Sequence, residues 1–289
     1  MGKKLSLAKR AVNYLLHNIS FKKVTAHILC LPPNQYLANK VALITGGTSG
    51  IGLAIAEAFI ESGANVIITG RSQEKLERTK AYLESKNEKT KTVLALTLDN
   101  KDIASFEKMM NIIINQYGRL DILVNNAGVI GSDWAKTVEM DYDNVMDTNL
   151  KGAFFLSRVV ATYMIENKIQ GNILNICSSS SLRPANSVYA LSKWGLRGLT
   201  LGLAKTLAKY GITVNGIAPG PTATPLLGKD KNGRIDNKYS PIGRMALPEE
   251  IANMAVILVS DLGRTIVGDI IYMTGGSGII TYDDITYNL

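Results

Sequence analysis

From Lys40 onward the chain alternates short aliphatic runs with longer stretches of helical period. The runs are Val41–Ile44, Asn65–Thr69, Thr92–Leu96, Asp121–Val124, Asn172–Ile176, Thr213–Ile217 and Asp269–Met273. Continuous apolar runs of four or five residues with helices between them describe strands buried on both faces, hence a parallel sheet covered by helices on both sides. No Pro- or Ser-rich linker divides this region and no repeat recurs. The expected architecture is α/β, a single doubly wound parallel sheet of about seven strands spanning 40–289. Ligands of such sheets bind beyond the carboxyl ends of the strands, where the strand order reverses.

Residues 1–39 follow a different pattern. Leu5, Ala8, Val12, Leu15, Leu16 and Ile19 fall at helical spacing, and Leu31-Pro32-Pro33-Asn34 ends any helix. This is an N-terminal helical extension. No apolar run here is long enough to cross a bilayer, and no secretory leader is expected. Packing on the body or on a sister subunit is the first reading, and contact with an anionic membrane surface the second. Nucleic acid ranks lower, because few aromatic stacking partners, among them Tyr14 and Phe21, accompany the basic residues.

Charge sharpens this division. The chain has 32 Lys and Arg against 24 Asp and Glu, a net +8 and a pI near 9.3. Six of those positive charges lie in residues 1–39, which hold no acid, leaving 26 basic against 24 acidic side chains in the body. The body is therefore no general polyanion binder. Its only Cys is Cys177, with Cys30 in the extension, which excludes a disulfide framework and a four-Cys zinc site and suits a reducing, cytoplasmic setting. Both His, His17 and His27, lie in the extension, so no metal site of the HExxH type and no Ser–His or Cys–His couple is available to the body.

The first strand runs into Thr45-Gly46-Gly47-Thr48-Ser49-Gly50-Ile51-Gly52 and then a helix. Gly46 permits the tight turn, Gly50 lets backbone approach a pyrophosphate, and Gly52 packs the helix on the sheet. The helix N-terminus then holds the anion. After the second strand comes Arg71-Ser72, where NAD sites place an acid for the ribose 2′-hydroxyl. A guanidinium forks onto a 2′-phosphate instead, so NADP(H) is preferred, with NAD(H) permitted. No second basic residue stands in the glycine loop.

Tyr189 and Lys193 stand four apart on one face of a helix that runs through Leu207. A phenol titrates near pH 10, and acting near neutrality needs about three units of depression, roughly 4 kcal/mol, which a neighbouring ammonium favours. The preceding strand ends in Cys177 and Ser178 through Ser181, where a hydroxyl can bond a substrate oxygen. Cys177 itself reads as a small buried strand residue.

Together these features resemble the short-chain dehydrogenase/reductase family over about residues 40–276. The likeness also rests on Asn125-Asn126-Ala127-Gly128, on Asn149 in Thr148-Asn149-Leu150-Lys151-Gly152, on Pro219-Gly220-Pro221-Thr222-Ala223-Thr224 and on Gly275-Gly276. It implies a Rossmann-like fold and an NADP(H)-dependent oxidoreductase that reduces a ketone or aldehyde, or oxidises the matching secondary alcohol. By the same resemblance Tyr189 is the acid/base, and Lys193 lowers its pKa and holds the nicotinamide ribose. Asn149 kinks its helix and holds a water. Asn126, Ala127 and Gly128 line the adenosine side, Asp99 caps the adenine, and Thr222 and Thr224 meet the carboxamide and pyrophosphate. The family serine stands about two residues further upstream of the tyrosine than any Ser here. Aligning on the strand selects Ser178, with Ser179 and Ser180 left open.

Residues 225–244 are the segment expected to cover the substrate, with Trp134 and Met140 on the other wall; Trp194 reads as helix packing. The substrate is a small carbonyl or alcohol compound. A 3-oxoacyl-carrier-protein reductase is the alternative, and a catalytically quiet NADP-binding sensor or scaffold the alternative from another class. The resemblance further implies a homo-oligomer, dimer or tetramer, built on helices near 138–165 and 188–209.

Overall fold

The computed structural model describes residues 35–86, 93–228 and 233–278, so the helix expected within residues 4–20 lies outside the described residues. The strands are β1 (Val41–Ile44), β2 (Asn65–Gly70), β3 (Val93–Thr97), β4 (Ile122–Asn125), β5 (Asn172–Ile176), β6 (Thr213–Pro219) and β7 (Ile270–Met273). They form one sheet in the order β3-β2-β1-β4-β5-β6-β7, every pair parallel. Each aliphatic run of the sequence is a strand; β1 and β5 keep the expected ends, and the others move by one or two residues. The helices are α1 (Gly50–Glu61), α2 (Gln73–Lys86), α3 (Ser105–Tyr117), α4 (Glu139–Met146), α5 (Gly152–Glu166), α6 (Val188–Leu207) and α7 (Pro248–Val259).

The two-residue alternation of a strand explains the two cores. Ala42 and Ile44 of β1 join one cluster with Phe59 of α1, Leu76 of α2 and Ile251 of α7. Val41 and Leu43 face the other way, onto Phe106 of α3, Leu156 of α5 and Leu207 of α6. Full burial of such side chains stabilises the fold by about 1.5–3 kcal/mol each. The packed body begins before Lys40: Leu37 is fully buried and its N–H donates to Ser62 O at 2.9 Å.

The strand order reverses at β1, which has β2 on one side and β4 on the other. The loops leaving β1 and β4 therefore diverge and open a crevice at the carboxyl ends of the strands. A buried polar ladder fixes α6 above it. Asn125 of β4 donates to Asn175 of β5 at 2.8 Å and to Ser157 of α5 at 2.9 Å, and Asn175 donates to Thr200 of α6 at 2.9 Å. Inside a low-dielectric core such a chain of bonds sets orientation as well as contact.

Candidate active site

The crevice holds a cleft of about 570 Å³. Gly46, Thr48, Ser49, Gly50 and Ile51 form its floor. Gly46 and Gly50 take φ of 64° and 54°, the left-handed region that glycine enters without strain. Gly52 lies beneath the floor instead of on it. A Cβ at this position would stand 2.4 Å from both Asn126 Nδ2 and Gly46 O. Asn126 Nδ2 itself donates to Thr45 O at 2.9 Å and Gly46 O at 3.0 Å, so the β4 loop braces the glycine turn. Ser49 makes no side-chain cap and the first turn of α1 holds no acid, which leaves the first amides of α1 free for an anion.

At the end of the cleft beyond β2 and β3 stand Arg71, Ser72 and Asp99, and Asn126, Ala127 and Gly128 line it beyond β4. Ser72 Oγ accepts from Lys75 N at 3.3 Å and so caps α2, leaving its hydroxyl hydrogen to donate elsewhere. Lys75 lines the same end, a second cation that sequence reading missed. The signal was its place four residues after Arg71, in a helix whose first turn faces the end of β2. Asp99 Oδ1 accepts from Lys101 N at 3.0 Å.

At the other end Tyr189 sits in the first turn of α6, whose cap Ser187 accepts from Ala190 N at 3.2 Å. Lys193, one turn on, is buried at 4% exposure. Its Nζ lies 5.7 Å from the Tyr189 ring centroid and donates to Ile176 O at 2.8 Å, its one protein acceptor among the described residues. An ammonium has three donors, so two are left for a ligand. Asn149 lies in a wide π-helical turn, Asp147–Lys151, that joins α4 to α5. It is off the cleft wall: its side chain bonds Val129 N and O at 2.8 and 3.0 Å and Ser192 Oγ at 3.1 Å. Gly128 fills the space beside it, where a Cβ would come within 3.4 Å of Asn149 Oδ1 and 3.7 Å of Lys193 Nζ. Ser178, Ser179 and Ser180 all line the cleft. Ser178 Oγ accepts from Ser180 N at 3.1 Å, which frees its own hydrogen, whereas Ser181 Oγ is spent on Ser178 O at 2.7 Å.

A family model for short chain dehydrogenases matches residues 40–235. The chain is 36% identical over 247 residues to a (2S)-[(R)-hydroxy(phenyl)methyl]succinyl-CoA dehydrogenase subunit of Thauera aromatica, covering 84% of this chain and 98% of that one. It is equally 36% identical to a 3-oxoacyl-[acyl-carrier-protein] reductase of Thermotoga maritima, over 83% and 98% of the two chains. A 3-ketoacyl-(acyl-carrier-protein) reductase from Brucella melitensis, solved in complex with NADH, superposes with a TM-score of 0.76 at 29% identity, over 84% of this chain and all of that one. The protein belongs to the short-chain dehydrogenase/reductase family. It is an oxidoreductase acting on CH–OH and C=O groups.

The remaining wall of this dehydrogenase/reductase comes from the β6 side. Pro219, Gly220, Thr222 and Thr224 line the cleft; Thr222 Oγ donates to Gly220 O at 3.0 Å and Thr224 Oγ to Thr222 O at 3.4 Å. The chain beyond β6 leaves and returns at one point, where Ala223 N donates to Ala246 O and Ala246 N to Pro221 O, each at 2.9 Å. Arg244 then forks onto Glu250 at 2.7 and 2.8 Å, and this guanidinium holds the Glu250 carboxyl below its usual range. Leu226 and Leu227 give the cleft an apolar edge.

Three expectations change. Trp134 and Met140 are 79% and 77% exposed and stand off the cleft, because Ser132 and Thr137 bond within their own segment and turn it outward; Val129 and Ile130 take that wall. Trp194 is half-exposed and acts as a brace, its Nε1 donating to Arg183 O at 2.9 Å. Arg183 lines the cleft beside the serines, a cation that none of the motifs marks. Cys177 is buried, and burial pushes its thiol up to about 11, as a packing residue requires.

Proposed function

We propose that this protein is an NADPH-dependent carbonyl reductase whose reaction is run by Tyr189, Lys193, Ser178 and Asn149. The buried Lys193 ammonium, one turn from Tyr189 and with two donors unspent, carries this reading. The residues fit the cofactor. Gly46, Gly50 and the bare amides of α1 suit its pyrophosphate, Arg71, Ser72 and Lys75 its 2′-phosphate, and Asp99 its adenine. Asn126, Ala127 and Gly128 shape the floor, Pro219, Gly220, Thr222 and Thr224 suit the nicotinamide side, and Lys193 suits the ribose hydroxyls.

Bound NADPH supplies a hydride to the carbonyl carbon. Ser178 donates its free hydroxyl hydrogen to the carbonyl oxygen and orients it. Tyr189 protonates that oxygen as negative charge develops there. Its phenolate is then stabilised by the Lys193 charge and by the positive end of the α6 dipole. Asn149 holds Val129 and Ser192 in place and so positions α6 against the cleft.

An acyl-carrier-protein reductase remains the second reading, since two of the similar proteins carry that activity. Exposed apolar side chains on α4, α5 and α6, among them Tyr142, Phe154, Leu191 and Leu201, support a dimer or tetramer. No helix among the described residues is long and apolar enough to cross a membrane. A cytoplasmic setting belongs to the same proposal, as does the division into an extension and an enzyme body, whose boundary the buried Leu37 moves a few residues before Lys40.

A panel of ketones and aldehydes followed by NADPH absorbance tests the reading. At least one is reduced, and Ser178→Ala loses about 100-fold in kcat/KM, in the range of one lost transition-state donor, while Ser180→Ala stays near wild type. The reverse pattern moves the serine role to Ser180.

A further inference from the structure

We propose that Arg183 anchors the substrate, and that the natural substrate is a carbonyl compound carrying a carboxylate at the end of a short aliphatic spacer. This rests on the reductase reading above and names its substrate class.

Arg183 is held between the two groups that meet the carbonyl, five residues after Ser178 and six before Tyr189. Its backbone is pinned on both sides. Its N–H donates to Ser180 O at 3.2 Å and its carbonyl accepts from Trp194 at 2.9 Å. The guanidinium lies over Gly278, where a Cβ would stand 3.1 Å from Nη2 and 3.2 Å from Nε. It donates to one neutral group, Ser277 Oγ at 3.2 Å, and no carboxylate among the described residues pairs with it. A guanidinium has five N–H donors in a fork that matches a carboxylate, so the described residues leave most of this one unspent.

The cofactor does not explain it. The 2′-phosphate site follows β2, three strand steps from β5 and roughly 14 Å away across the sheet. The pyrophosphate floor follows β1, on one side of β5, whereas Ser277 draws the guanidinium toward β7 on the other. The one acid on the cleft wall among the described residues, Asp99, follows β3, four steps or roughly 19 Å away. The substrate end of the cleft thus carries positive charge from Arg183 and Lys193, and no acid among the described residues offsets it. Leu226 and Leu227 supply the apolar edge that an aliphatic spacer would meet. In the reaction the carbonyl carbon gains the hydride, the oxygen gains the Tyr189 proton, and the carboxylate is unchanged in the hydroxy acid product.

The test uses methyl-ketone acids with two, three or four methylenes between carbonyl and carboxylate, each beside its methyl ester, reduced by the full chain with NADPH. At the best spacing the wild type favours the acid over its ester by at least about tenfold in kcat/KM, the range of one charge-assisted hydrogen bond. Arg183→Met removes that preference through KM, leaving the ester kinetics within about twofold, and Arg183→Lys restores part of it. Esters reduced as well as acids at every spacing overturn the proposal while leaving the reductase reading intact. So does Arg183→Met lowering acid and ester alike, the mark of a residue that only shapes the loop. Failure of the wild type to reduce any ketone, acidic or neutral, overturns the reductase reading and this proposal with it.

Discussion

Arg71 and Lys75 should together set the preference for NADPH over NADH. Both side chains are exposed at the end of β2 and the start of α2, so their attraction for a 2′-phosphate is partly screened. A sheltered charge-assisted bond is worth about 1.5–3 kcal/mol and an exposed ion pair about 0.2–1 kcal/mol. The forked Arg71, with the capped first turn of α2 beside it, falls near 1.5 kcal/mol, about tenfold in affinity. Lys75, a point charge on a flexible stem, falls near 0.5 kcal/mol, about twofold. Since both meet one phosphate their losses overlap, and the double variant should lose between about tenfold and the roughly 20-fold product of the two. Calorimetric titration of NADPH and NADH into wild type, Arg71→Ala, Lys75→Ala and the double variant measures this. NADPH affinity should fall in that order of magnitude with NADH affinity unchanged, and the salt dependence of NADPH binding should flatten. Equal weakening of both cofactors, or none, refutes the 2′-phosphate assignment.

Other outcomes follow from the packing around the cleft. Gly52→Ala drives a Cβ into Asn126 Nδ2 and Gly46 O, so it should cost about 1–3 kcal/mol in a denaturant titration and weaken NADPH binding; a variant of wild-type stability contradicts the close packing. Cys177→Ala should leave turnover in place, because its thiol is buried and raised to about 11. The folded chain keeps a proton on Cys177 that the unfolded chain releases near 9, so this group's contribution to stability is lost as pH rises from about 9 to about 11. Melting curves across that interval should therefore fall more steeply for wild type than for Cys177→Ala, and parallel curves contradict the burial.

The parts of this enzyme that sequence reveals are those where one residue type answers one local demand. Strands buried on both faces must be largely apolar, which is why Val41–Ile44 and the Val66-Ile67-Ile68 run of β2 stand out. A turn with positive φ at Gly46 and Gly50 admits glycine and little else. Tyr189 and Lys193 share a helix face because their spacing is one turn. The features that stayed hidden depend on elements brought together from afar. Lys75 matters because α2 starts beside the end of β2. The Asn125–Asn175–Thr200 ladder joins two strands and a helix, and nothing local distinguishes these residues from loop-forming polar ones. Trp194 gains its role only when α6 passes the Arg183 loop, and Trp134 faces outward because of bonds within its own segment.

The central claim is that Tyr189 delivers the proton in an NADPH-dependent carbonyl reduction. Its most direct test pairs steady-state reduction of the best ketone in the panel with NADPH titration, for wild type and Tyr189→Phe in the same preparations. Tyr189→Phe should lose at least about 1000-fold in kcat/KM, in the range of a general acid, while NADPH affinity changes less than about threefold. Retention of a tenth or more of the activity contradicts it.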